Sequence, residues 1–536
     1  MRTIRRTVAI LLGLSGAFVL IFASCCAQKT VALSVAGIKV FPSQPQGEIS
    51  PFIYGASVEW TENGNRIFDP NRGQLRPEVI DLLKPLRIPV WRFPGGILSD
   101  YYHWRDGIGP RGERPKRPNP MDQSVHENSF GTDEFIDFCK AQGSEPLVTA
   151  NFGTGTLQET LEWQRYFLEK GLRVRFWEIG NEIYLAEPKE HASVPGNDRR
   201  IYKTAQQYSA GFREWSKALQ AADREAQIGA IAGTYNTSPQ NANWLSPLLS
   251  GAGSDIDFIA LHNAFAPLIF SRYDYTNEKK REEAYQAMFA QAMFSAEDIR
   301  RVKQAAASVR LPTPKIAITE HFPLFGGTPD QLMAILDQSR TLASALYTSS
   351  LFHAFMREHV WMANYNIAVS KWFGALLTDT DSGIIKTPTY HLFDLYRNHF
   401  GNTLINVQTS SPVFSTKQVG TVESRNDVPY LDAVASTGQG CVYLAVINRN
   451  LSQPMQASIS VEGLPPDATA ELTILAGPGP NAINGVSLSR STQGGLPDSI
   501  TLQHGSWKGV NTGVYTFPPA SVTMFKWEAV EPPRKK

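Results

Sequence analysis

Short apolar runs that end on polar residues recur eight times along this chain, and helix-like stretches separate them. The runs are IYGASVEW (53–60), VWRF (90–93), PLVTANF (146–152), VRFWEI (174–179), QIGAIA (227–232), DFIALHN (257–263), KIAIT (315–319) and VWMANY (360–365). They are continuously apolar rather than alternating, as expected of strands covered on both faces in a parallel sheet. Between them lie helical patterns such as RPEVIDLLKPL, TLQETLEWQRYFLEK, TAQQYSAGFREWSKALQAAD and SAEDIRRVKQAAASV. Eight strand–helix repeats over about 350 residues predict an α/β fold, a (β/α)8 barrel with long loops. A doubly wound open sheet is the competing arrangement. It would more often place a glycine-rich phosphate loop after its first strand, and none is visible.

After about residue 401 the texture changes. GCVYLAVINRN, QASISVEGL, ATAELTILAG and GVYTFPPASVTMFKW alternate between polar and apolar residues and are separated by Pro, Gly and Asn turns. That pattern predicts an antiparallel β-sandwich. VALSVAGIKVFPSQ, ahead of the barrel, reads the same way and is expected to add a strand to it. The expected organisation is a leader over 1–27, an N-terminal strand over 28–50, the barrel over 51–400 and the sandwich over 401–536.

The leader is kept out of the fold. MRTIRR is cationic and TVAILLGLSGAFVLIFAS is apolar, of secretory length, so export to the periplasm, the membrane surface or the exterior is expected. A lone membrane anchor is the alternative. Phe22-Ala23-Ser24-Cys25 resembles a bacterial lipoprotein cleavage site, which would make Cys25 the acylated residue, although Phe22 stands where such sites usually carry Leu. Of the 4 cysteines, only Cys139 and Cys441 lie beyond this segment, so no disulfide framework is expected. A net charge of +1 gives no reason to expect nucleic acid as a partner. Spacings such as HExxH and Cys/His clusters are missing, so no metal or other cofactor is expected. A G-x-S-x-G elbow is missing too, which weighs against a serine esterase.

Barrels carry catalysis at the C-terminal ends of their strands. There this sequence delivers Glu59, Arg92 with Pro94-Gly95-Gly96, Asn151, Asn181-Glu182, His262-Asn263, Glu320-His321, and Trp361, Asn364 and Asn366. Glu182 and Glu320 each follow an apolar run. Across a barrel mouth they can flank one bond, and retaining glycoside hydrolysis needs such a pair about 5–5.5 Å apart. Asn181 would sit beside them, within reach of a sugar hydroxyl. The bland alternatives are a solvated loop or helix cap for Asn181-Glu182, and a satisfied core histidine for His262. His103 and Trp104 read as a rigid rim loop.

WEIGNE and ITEHF resemble the acid/base and nucleophile strands of clan A retaining glycoside hydrolases. ISPFIYGASVEW, WRFPGGILSDYYHWRDGIGPRGERP, IALHNAF and TFPPASVTMFKW are similar to family 51, the α-L-arabinofuranosidases. The resemblance implies Glu182 as general acid/base and Glu320 as nucleophile, with Glu59 on furanose hydroxyls. It also implies site roles for Asn181 and His262, support from behind by Arg92, an arabinose-containing glycan as substrate, and a homo-oligomer. The family usually has Asn or Cys where this chain has Ile97, and Tyr where it has Ala264. Both departures touch the sugar pocket. The alternatives are a clan A β-glycosidase (an endo-β-glucanase or β-xylosidase) and a barrel that binds carbohydrate without cleaving it.

Overall fold

The computed structural model describes residues 35–118, 124–185, 201–233, 243–466, 468–489 and 499–528. The expected leader, with Cys25, lies outside the described residues.

Eight parallel strands close into a barrel: Gly55–Ser57, Val90–Phe93, Glu145–Ala150, Phe176–Ile179, Gln227–Ala232, Phe258–Leu261, Lys315–Phe322 and Met362–Tyr365. Closure comes where Asn364 of the eighth strand pairs with Gly55 of the first. Inward and outward residues alternate along each strand. Trp91 and Phe93 point outward, where they meet Phe138 and Phe135 of the helix Thr132–Gln142, so Arg92 points in. Trp177 packs outward on Trp163 and Phe167 of the helix Leu157–Glu169, and Glu178 therefore points in.

Threonine caps restart the chain after the loops. Thr156, Thr204, Thr341 and Thr387 each accept a backbone N–H in the first turn of the helix that follows, satisfying donors that helix geometry leaves unpaired.

The first strand is shorter than the run 53–60 suggests. Pro51–Tyr54 forms a 3-10 turn, in which Ser50 accepts from Phe52 N, and pairing begins only at Gly55. A Cβ at Gly55 would fall 2.6 Å from Val90 and 2.7 Å from the Ala363 carbonyl, so the close approach of three strands requires glycine.

The C-terminal region forms one continuous nine-stranded sheet with its own apolar core, built from residues such as Leu444, Val446, Phe517, Phe525 and Trp527. Its opposite face, with Ala445, Ile447, Val522 and Met524, packs into the barrel's core. Burial on both faces explains why the strand Cys441–Asn448 is almost wholly apolar. The sheet is not purely antiparallel. Ala36–Glu48 pairs antiparallel with Thr403–Ser410 but parallel with Met455–Val461, because a strand from the far end of the chain is not tied to a hairpin. Cys139 and Cys441 are both free.

Candidate active site

Arg92 occupies the centre of the barrel's C-terminal end. Its guanidinium donates to Glu178 Oε2 (2.9 Å), Glu320 Oε2 (3.0 Å) and Asn181 Oδ1 (2.6 Å), so one fully buried side chain ties together three strands. Such a planar fork suits a cation that must orient carboxylates rather than merely neutralise them.

Glu320 reaches this cluster through a local irregularity. Alternation along Lys315–Phe322 would turn Thr319 and Glu320 to opposite faces. The pairing with the eighth strand slips by one residue between Ile318 and His321, the signature of a β-bulge, and both side chains enter the site. His321 turns outward, ringed by Phe352, Phe355 and Tyr365, and burial pushes its imidazole down to about 3. It remains neutral and apart from the chemistry. Asn366 Nδ2 donates to the other oxygen of Glu320 (3.2 Å).

Glu182 is set by the turn that ends the fourth strand. Gly180 (φ 77°) and Glu182 (φ 41°) both occupy the left-handed region, which a glutamate visits only when its surroundings impose it. Asp100 holds the turn by accepting from Asn181 N (2.8 Å) and Gly153 N (3.1 Å). Burial raises the Asp100 carboxyl to about 7.

His262 joins the two glutamates. Its Nδ1 lies 2.9 Å from Glu182 Oε1 and 4.0 Å from Glu320 Oε2, while its Nε2 meets Thr319 Oγ1 at 3.0 Å. The two carboxylates are thus no farther apart than those Nδ1 distances laid end to end. Burial works against a charged imidazole, but the bond to Glu182 and the fields of Glu182 and Glu320 raise its affinity for a proton above the ordinary value. Glu320 is raised by burial and by Glu182, against the opposing pull of His262 and Arg92.

Glu59 follows the first strand and is positioned by an unusual element. Glu62, Asn63, Gly64, Asn65 and Arg66 all have positive φ, forming a left-handed turn that the Asn and Gly residues tolerate best. Asn65 Oδ1 accepts from Glu59 N (2.5 Å) and Thr61 donates to the Glu59 carboxylate (3.3 Å). Gly96 lies between the acids: a Cβ there would meet Glu320 Oε2 at 3.3 Å and Glu59 Oε1 at 3.7 Å. Burial, then the neighbouring Glu320, raise Glu59 to about 7.

The six residues to which the resemblance gives site roles (Glu59, Arg92, Asn181, Glu182, His262 and Glu320) therefore gather at one barrel mouth. Asn151 instead ties the loop after the third strand to Thr154 and the Tyr102 carbonyl. His103 and Trp104 anchor a rim loop on Glu159. Ala264 is buried, and its carbonyl accepts from Tyr347 OH (2.8 Å).

Sequence reasoning passed over Glu178 and Thr319. Glu178 is fully buried and accepts from Arg92, Thr149 Oγ1 (2.8 Å) and Thr319 Oγ1 (2.5 Å). Burial alone would raise its carboxyl, but Arg92, His262 and the two hydroxyls hold it below the usual carboxylate range. The available signal was a charge inside FWEI, since a carboxylate amid a doubly covered strand must be paired.

Two parts of the chain match known families: residues 82–278 the α-L-arabinofuranosidase 1 domain, and residues 326–521 the α-L-arabinofuranosidase C-terminal domain. A probable α-L-arabinofuranosidase C of Aspergillus clavatus is 27% identical over 526 residues, covering 92% of this chain and 97% of that protein. Two solved structures superpose over 92% of this chain and 99% of their own, each at 26% identity. One is an α-L-arabinofuranosidase from Thermotoga maritima in an arabinose complex (TM-score 0.73), the other the thermostable GH51 α-L-arabinofuranosidase from Thermotoga petrophila RKU-1 (TM-score 0.74). With its barrel, its C-terminal sheet and both domain matches, the chain is an α-L-arabinofuranosidase-like member of glycoside hydrolase family 51.

Proposed function

We propose that this protein removes α-L-arabinofuranosyl units from arabinose-containing glycans by retaining double displacement, with Glu320 as nucleophile and Glu182 as acid/base. The observation that carries the reading is the arrangement of both carboxylates about one imidazole at the barrel mouth. In the first step a Glu320 oxygen forms a bond to the anomeric carbon. The bond to the leaving oxygen breaks, its electron pair stays on that oxygen, and Glu182 supplies the proton. In the second step Glu182 takes a proton from water, whose oxygen displaces Glu320 from the sugar.

The surrounding groups fit supporting roles. Arg92 holds a Glu320 oxygen and stabilises its ionised form. Arg92 also occupies Asn181 Oδ1, which leaves Asn181 Nδ2 without a partner among the described residues and free to donate to a sugar hydroxyl. Glu59, largely protonated below about pH 7, can both donate to and accept from furanose hydroxyls. Export through the leader, with acylation at Cys25, belongs to the same reading and is supported by the cationic and apolar segments of residues 1–27. The mass of the mature chain tests it.

The catalytic test is hydrolysis of an aryl-glycoside panel by the leaderless protein, with Glu320→Gln as control and the anomer released followed by NMR. Turnover of the α-L-arabinofuranoside with retained configuration, lost in the variant, is the expected result. Turnover of a β-D-xyloside or β-D-glucoside instead would move the substrate. Inversion would overturn the mechanism.

A further inference from the structure

We propose that Glu178 and Thr319 are positioning residues that fix the tautomer of His262, so that the imidazole presents Nδ1 to Glu182 and leaves the shared proton available to the acid. The proposal rests on the reading of Glu182 as acid/base. It follows from counting protons along a buried chain of hydrogen bonds.

Glu178 is the fixed end. It is fully buried, and its partner Arg92 is a permanent cation, so Glu178 is ionised and only accepts. Thr319 Oγ1 lies 2.5 Å from Glu178 Oε1, and the only proton available between them is the hydroxyl's. Thr319 therefore donates to Glu178 and has only lone pairs left for His262 Nε2, 3.0 Å away. Nε2 must carry the hydrogen. In the neutral ring Nδ1 is then bare and only accepts, so the 2.9 Å contact with Glu182 Oε1 is made by a proton on the carboxyl; when the ring is charged the same proton lies on Nδ1, and the contact can return it. One proton is thus shared along this contact, and Glu182 can deliver it to the substrate as an acid. With the opposite tautomer, Nδ1–H would donate to Glu182 and favour its carboxylate, the wrong form for the first step. Among the described residues, the other charged groups acting on this ring are Glu320, 4.0 Å from Nδ1, Glu178, 3.9 Å from Nε2, and Arg92, whose guanidinium opposes a charge on it; the two carboxylates do not donate to it when ionised.

The arrangement also defines a variant that should reverse the chain. Glu178 Oε2 accepts from both Arg92 Nε and Thr149 Oγ1. In Glu178→Gln those donors hold the amide oxygen in place, so the amide NH2 faces Thr319 and donates to it. The Thr319 hydroxyl must then donate to Nε2, which drives the neutral ring to Nδ1–H.

The first test is the ring-nitrogen NMR spectrum of 15N-histidine-labelled protein, with the His262 signals assigned by difference from a His262→Gln variant. The neutral ring is expected to carry its hydrogen on Nε2 in the parent and on Nδ1 in Glu178→Gln. A parent ring protonated on Nδ1 overturns the proposal. This measurement does not depend on turnover, so its outcome is separate from that of the glycosidase reading.

The second test is kinetic and uses Thr319→Val, which keeps the shape and removes the hydroxyl. For arabinofuranosides with poorly acidic leaving groups, which need the proton, kcat/KM is expected to fall at least 10-fold more than for dinitrophenyl arabinofuranoside, which hardly needs it. Thr319→Ser should restore the parent pattern. An equal loss on both substrates, or rescue failing in Thr319→Ser, overturns the proposal. If the parent cleaves no arabinofuranoside, the glycosidase reading fails instead, and the NMR result still decides the tautomer.

Discussion

Replacing Arg92 by leucine should expose how much of the barrel's stability depends on one guanidinium. Arg92 is fully buried and is the permanent cation paired with Glu178, whose other basic neighbour is the His262 ring at 3.9 Å. Removing one partner of a buried ion pair typically costs about 3–5 kcal/mol, because the other charge is left uncompensated. Glu178 keeps its bonds from Thr149 and Thr319, so the low end of that range, about 3 kcal/mol at pH 7, is expected. The sign with pH follows from the folded-state shift. Burial pushes Glu178 up, but Arg92 above all, with His262 and the hydroxyls, brings it below the ordinary carboxylate value. Its charged form therefore contributes stability above its unfolded pKa of about 4.3, and that contribution is lost as pH falls through the lower folded value. In Arg92→Leu burial prevails and Glu178 folds as the acid. The gap between parent and variant should be widest at neutral pH and narrow toward pH 4.5. Urea unfolding followed by tryptophan fluorescence at both pH values measures it. A gap under about 1 kcal/mol at pH 7, or one that does not shrink on acidification, would refute the pairing argument. Arg92→Lys keeps the charge but loses the fork, and should fall between.

Three further outcomes are expected. Asp100→Asn leaves a carboxamide where two backbone N–H groups need acceptors, so the Glu182 turn loosens and kcat should fall roughly 10- to 100-fold with KM little changed; unchanged kcat would remove Asp100 from the positioning of Glu182. Glu59 is raised to about 7, so the folded state binds more protons than the unfolded one and its stability falls as pH climbs from about 4.5 toward 7. Glu59→Gln should flatten that decline in melting temperature, and an identical slope would contradict the shift. Gly95 has φ 104°, and a Cβ there would lie 2.3 Å from Glu59 Cγ, so Gly95→Ala should displace Glu59 and raise KM more than a substitution at the open Gly112, each read from initial rates.

The sequence was explicit wherever physics acts locally. Apolar runs alternating with helical patterns specify a barrel because each strand needs cover on both faces, and a polar residue just past such a run can only sit at the strand's end. Glu182 and Glu320 could therefore be found without coordinates. The left-handed turn that seats Glu59 was only half visible: NGN permits positive φ, but nothing local requires five such residues in succession. The parallel pairing of Ala36–Glu48 was hidden too, since it depends on a strand more than 400 residues away. The bulge in the seventh strand shows the division most clearly. Local alternation would put Thr319 and Glu320 on opposite faces, and only the slipped register against the eighth strand turns both inward. Glu178 likewise has no visible role until Arg92, Thr149 and Thr319 meet it from other strands. The sequence by itself determined which strand ends carry the acids. Tertiary structure decided which atoms face one another, and so where each proton lies, because hydrogen-bond geometry is set by register and closure between strands far apart in the chain.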